Sequence, residues 1–267
     1  VIHYLSLSAN QNYSKAQYNL GVFLEQGQDI DKAIYYYSLA AKQNSIQAQL
    51  KLGTIYHQSK LVKQNIKKAI HYYTLAANQN DPAAQFNLGI IYYVGIDVPR
   101  DVNKALYYYT LAAKQNLACA QYNIGNIYDV GKYVKQDIDK AIYYYNLAAN
   151  QNYAYAQIAL GMIYLYGEYV KRDINKAIYY LTLAANQTAL FNLGYLYSIN
   201  EYVHINKEKS IHYFSLAANL DDGPSQYYLG CHYYQNIKSK QDIYKCLYYL
   251  NMSCKNKFCW KILFDHL

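Results

Sequence analysis

Asparagine is the residue with a chemical task in this chain, because it recurs at one place in a repeating pattern and its amide can both donate to and accept from a peptide backbone. Two residues before seven recurring glycines stand Asn19, Lys51, Asn87, Asn123, Ala159, Asn192 and Tyr228. One residue after them come Val22, Thr54, Ile90, Asn126, Met162, Tyr195 and Cys231, and three before them Tyr18, Leu50, Phe86, Tyr122, Ile158, Phe191 and Tyr227. On a helical wheel the first two series share one side, and the third, aromatic or aliphatic, borders it. Amides for a backbone and rings for apolar area suit an extended peptide or a helix. The candidate binding residues are therefore Asn19, Lys51, Thr54, Phe86, Asn87, Tyr122, Asn123, Asn126 and Asn192. The same pattern also reads as hydrophilic filler beside inter-repeat core, and spacing leaves both readings open.

Other chemistry is not encoded. There is no Gly-rich phosphate loop, no His-Glu-x-x-His and no Cys-x-x-Cys, so no catalytic, metal or cofactor residue is assigned. His3, His71 and His212 take the place that Tyr35, Tyr107, Tyr143 and Tyr179 take in other copies, which marks an exposed position and not a ligand set. Cys119, Cys231, Cys246, Cys254 and Cys259 are odd in number and share no repeat position, as expected of reduced thiols used as small core residues. That slightly favours a reducing compartment, with the lumen of the endoplasmic reticulum as the alternative. The sequons at Asn12, Asn186 and Asn251 carry meaning only in a secreted chain.

The elements that must position these residues follow from the glycines themselves. Gly21, Gly53, Gly89, Gly125, Gly161, Gly194 and Gly230 are separated by 32, 36, 36, 36, 33 and 36 residues, the length of two short helices and two turns. In the first helix of a unit, helix A, Ala84, Leu88, Ile91 and Tyr92 share one buried side, and Gly89 beside them implies close approach of a partner helix. Four residues before each repeat Ala or its substitute stand Asp29, Asn65, Asp101, Asp137, Asp173, Asn206 and Asp242, all good N-caps for helix B. Lys32, Lys68, Lys104, Lys140, Lys176, Lys209 and Lys245 follow three residues later, each expected to pair with its cap. Asn44, Asn80, Asn116 and Asn152 end helix B where a left-handed residue is needed.

The expected fold is all-α: a right-handed superhelix of about seven antiparallel helix pairs. It is expected to fill residues 1–267 as one solenoid, beginning inside helix B of a partial first repeat and ending in a partial capping repeat at about 255–267. Loops shortened between Gly21 and Ala33 and at Asn186-Gln187-Thr188 predict kinks, not boundaries. The chain opens without a Met or a signal-like segment, which reads as a piece of a longer protein. No run of 18 apolar residues exists to span a bilayer. A formal charge of +8 permits an acidic partner, yet the lysines are spread by the repeat and not gathered into a stripe. A monomer, or weak self-association, is expected.

Ala-Gln-Tyr-Asn-Leu-Gly at Ala16 to Gly21, Ala-Gln-Phe-Asn-Leu-Gly at Ala84 to Gly89 and Asp-Ile-Asn-Lys-Ala-Ile-Tyr-Tyr at Asp173 to Tyr180 closely resemble the Sel-1-like repeat, a relative of the tetratricopeptide repeat. The resemblance covers essentially the whole chain. It departs at Asn in place of the Gly after the Ala-Ala pair, and at Tyr36, Tyr108 and Tyr144 in place of a usual Trp. It implies a non-catalytic scaffold or adaptor whose partner is another protein, held on the concave helix A face. The rivals are RNA binding, disfavoured because the ladder lacks paired base-reading positions, and β-lactam hydrolysis, a property of members with a Cys pair in each repeat, which this chain lacks.

Overall fold

The computed structural model describes residues 2–58, 60, 62–199 and 203–256. They are helical, with no strand among the described residues, and fall into two compact units, 1–137 and 138–267, each considered by itself. The first holds α1 (Ile2–Asn10), α2 (Ser14–Gln26), α3 (Ile30–Lys42), α4 (Ile46–Gln58), α5 (Ile66–Asn78), α6 (Pro82–Val94), α7 (Val102–Lys114) and α8 (Ala118–Val130). The second holds α9 (Ile138–Ala149), α10 (Ala154–Tyr166), α11 (Ile174–Ala184), α12 (Gln187–Ser198), α13 (Lys207–Ala218), α14 (Gly223–Gln235) and α15 (Lys240–Lys255). Even-numbered helices are the A type, and within each unit they pack on the odd-numbered B helix that follows, as α2 on α3, α4 on α5 and α6 on α7 in the first and α10 on α11, α12 on α13 and α14 on α15 in the second. α1 stands in the place of a helix B, as its sequence predicts. The expected capping segment beyond Asn256, with Cys259, lies outside the described residues.

The punctuation is largely as expected. Asp29, Asn65, Asp101, Asp173 and Asn206 each accept the backbone N–H of the Lys three residues on, and Asn44, Asn80, Asn116 and Asn152 have φ of 61°, 68°, 66° and 59°. Asp242 is a correction. Helix α15 starts earlier, capped by Ser239, and Asp242 is the third helical residue whose carboxylate returns to the Ser239 N–H in a capping box. The short connection at Asn186 closes through Ala185, left-handed at φ 43°, with Asn186 capping α12 directly.

Each residue of the Tyr-Tyr-Tyr run has a different fate. The first is exposed (Tyr35, Tyr107, Tyr143, Tyr179), as are His71 and His212 in the same place. The second stacks on the helix A tyrosine, as Tyr108 does on Tyr92 at 5.9 Å and 6° between planes, and Tyr72 on Tyr56, Tyr180 on Tyr164 likewise. The third is fully buried (Tyr37, Tyr73, Tyr109, Tyr145).

The recurrent lysine completes the stack. Lys104 Nζ sits 4.9 Å from the Tyr92 ring centroid, with Lys68, Lys176, Lys209 and Lys245 placed alike over Tyr56, Tyr164, Tyr197 and Tyr233. The expected pairing with the cap is present at Lys32 and Lys176. At Lys104 the cap is engaged by the backbone N–H, and the ammonium rests on a ring, a cation–π contact.

A buried glutamine joins successive helices, and composition alone did not mark it as core. Gln85 Nε2 donates to the Ala77 carbonyl at 3.4 Å and accepts, through Oε1, from Gln115 Nε2 at 2.9 Å. Gln17, Gln49, Gln121, Gln157 and Gln226 donate in the same way to the last Ala of the preceding helix B. Cys119, Cys231 and Cys246 are free, whereas Cys254 is disulfide-bonded, against the expectation of reduced thiols throughout.

Candidate peptide-binding face

The recurring glycine is what shapes the ladder face of helix A. A Cβ on Gly53 would meet Tyr73 at 2.5 Å, so only glycine admits the ring of the following helix B against the backbone. The buried ring crosses beneath the helix and its hydroxyl emerges among the ladder residues. Tyr37 donates to Glu25 Oε2 at 2.7 Å, Tyr73 donates to Thr54 Oγ1 at 3.3 Å, and the Tyr109 hydroxyl is hydrogen-bonded to the Asn123 amide. Burial, first of all, raises the pKa of all three phenols above the ordinary tyrosine value, so each stays neutral.

Several ladder residues are thereby committed to the fold. Lys51 pairs with Glu25 at 3.0 Å, linking α4 to α2. Thr54 accepts from Tyr73 and donates to the Leu50 carbonyl at 3.0 Å. Asn123 holds Tyr109. Phe86 is half-buried with its ring 5.7 Å from that of Tyr109, and Tyr18 meets Tyr37 in the same way, so these rings are as much lid on the core as wall of a groove. Tyr122 is half-buried beside them.

Four amides are left over. Asn19 is exposed, and Asn87, Asn126 and Asn192 are half-buried, and none has a partner among the described residues. Asn19, Asn87 and Asn126 lie in the first unit and Asn192 in the second. The structure thus divides the predicted set into free amides and residues spent on internal contacts. That division depends on which hydroxyl reaches which helix, a long-range fact the wheel does not carry.

In the second unit the same face changes character. After Tyr145 on α9, the third-tyrosine place holds Leu181, Phe214 and Leu250, none with a hydroxyl, and Tyr228 stands where Asn recurs elsewhere. Beside Phe214 and Tyr228 opens a hollow of about 600 Å³. Sequence reasoning passed over it, although the loss of tyrosine at Phe214 was a visible signal.

A family model described as Sel1 repeat matches residues 14–45, 46–81, 82–117, 120–153, 154–188, 188–222 and 223–258. Among solved structures, a Sel1 repeat protein from Oxalobacter formigenes is similar over 100% of this chain and 80% of its own, at 27% identity and a TM-score of 0.83. The protective antigen c5321 of uropathogenic Escherichia coli strains, which displays an SLR fold, is similar over 95% of this chain and 64% of its own, at 24% identity and a TM-score of 0.52. The latter likeness concerns the fold alone. No curated protein matches the sequence.

Proposed function

The chain belongs to the Sel1 repeat family, whose members are generally protein-interaction scaffolds, and from that premise we propose that it holds an extended segment of another protein on the ladder face of α4, α6 and α8. The observation that carries this reading is the pair Asn87 and Asn126. Their amides are half-buried and unpartnered while neighbouring polar groups are spent internally, the condition in which an amide is free to bond a peptide backbone. Phe86 and Tyr122 border them and supply apolar area. No described helix is long and apolar enough to cross a membrane.

Each amide bond to a ligand backbone is worth about 1 kcal/mol net. Losing two weakens binding by roughly tenfold or more. The test is affinity capture from native lysate with the wild-type chain and with Asn87→Ala plus Asn126→Ala, read by mass spectrometry with and without nuclease. A protein retained by the wild type, depleted on the variant and indifferent to nuclease supports the reading. Retention that nuclease abolishes overturns it in favour of RNA.

A further inference from the structure

The hollow of the second unit is built differently from the amide face, and its lining is chemically one-sided. In the first unit Tyr109 reaches Asn123 through its hydroxyl; at the equivalent places Phe214 and Tyr228 stack flat, centroids 4.9 Å apart and planes 5° apart. This apolar floor, extended by Ile211, is one end of the hollow. Toward the other end stand Lys207 and His232, and no Asp or Glu lines it among the described residues. The imidazole lies within the field of Lys207: burial, and after it the charge of Lys207, holds the His232 pKa below its usual value, so His232 stands as a neutral N–H donor beside the cation. Lys207 itself has no ion-pair partner among the described residues.

The shape is a trough. Its lining follows α14 from Tyr227 to Gln235, about 12 Å at 1.5 Å per residue, which is room for about four residues of extended chain. Tyr228 and His232 lie one helical turn apart, about 6 Å. Every second side chain of an extended peptide points the same way at roughly 6.6 Å. An apolar side chain seated on the Phe214–Tyr228 stack would therefore carry a side chain two residues away to Lys207 and His232.

We propose that this trough binds a short extended segment of a partner protein in which an apolar residue and an Asp or Glu stand two positions apart. The carboxylate answers the uncompensated charge of Lys207 and accepts from His232, and the apolar residue covers rings otherwise left to water. The site is separate from the amides of the first unit and does not depend on them.

The test uses the full chain and capped pentapeptides, Gly-Phe-Gly-Glu-Gly and its reverse Gly-Glu-Gly-Phe-Gly, titrated by calorimetry up to millimolar concentration. Their Glu→Gln analogues, and a Gly-Phe dipeptide with a free terminal carboxylate, complete the set. At least one order should bind, and its Gln analogue should bind at least tenfold more weakly. Lys207→Gln, at an exposed first helical position, should cost the Glu peptide about tenfold and leave the Gln peptide unchanged; His232→Gln should act in the same sense. The Asn87→Ala, Asn126→Ala chain should bind the pentapeptide as the wild type does. No binding in either order, equal binding of Glu and Gln peptides, or binding confined to the free-carboxylate dipeptide would overturn the proposal.

Discussion

A Cβ atom on Gly89 would lie 2.5 Å from both Cδ1 and Cε1 of Tyr109, so the glycine and the ring form one packing unit. The same holds for Gly21 with Tyr37, Gly53 with Tyr73 and Gly194 with Phe214. Replacing a mid-helix Gly by Ala ordinarily stabilises by about 1 kcal/mol. Here the sign should reverse. Gly89→Ala is expected to destabilise by about 1–3 kcal/mol in urea denaturation, and by much less in a Tyr109→Ala background, where the ring is gone and the two changes no longer add.

Gln85 should behave as core despite its polarity. Gln85→Leu removes the bonds from Gln85 to the Ala77 carbonyl and from the Gln115 amide to Gln85, leaving each of those groups only its bond to Asn80, at a cost of about 1–3 kcal/mol for the two. Asn78→Ala, at an exposed amide on α5, should stay within about 0.5 kcal/mol. Equal effects on the denaturation midpoint would deny the glutamine its joining role.

The ammonium on the tyrosine stack makes a smaller claim. Lys104→Met keeps an apolar stem but removes the charge 4.9 Å from the Tyr92 centroid, and should cost about 0.5–1 kcal/mol. Lys32→Met, which removes only an exposed pair with Asp29, should leave the midpoint unmoved. A larger loss at Lys32 would mean that caps, not rings, are what these lysines serve.

The helix pairs, their caps and the buried stripe of Ala84, Leu88 and Ile91 were legible because they are local: the glycine recurs seven times, and capping Asp or Asn and left-handed Asn recur with it in most units. Gln85 was not, since its burial is explained by a carbonyl eight residues back, the Asn80 side chain and an amide thirty residues on. Asp242 misled because a better cap, Ser239, lay three residues earlier. Of the candidate face, the positions were readable and the availability was not. Thr54 and Asn123 look like Asn87 on a wheel, yet a tyrosine hydroxyl from another helix claims each of them.

His57 gives the pH dependence a sign. Burial lowers its pKa below the usual 6.5, so the unfolded chain binds the proton first and the stability present above that value is lost as pH falls through the folded pKa. His232 acts in the same direction. Between pH 7 and 5 the unfolding free energy should drop less in His57→Gln than in the wild type. Parallel profiles would show that His57 is solvated in the native state.

The central claim is that the ladder face of helix A, through its free amides, is the binding surface. The most direct measurement is the dissociation constant of the captured partner for three chains: wild type, Asn87→Ala with Asn126→Ala, and a control carrying Asn78→Ala with Asn103→Ala, two exposed amides on B helices. The account predicts a loss of roughly tenfold or more for the first pair, none for the control, and an unchanged melting temperature in both. An unaltered constant for Asn87→Ala with Asn126→Ala, alongside a weakened one for the helix B pair, would contradict it.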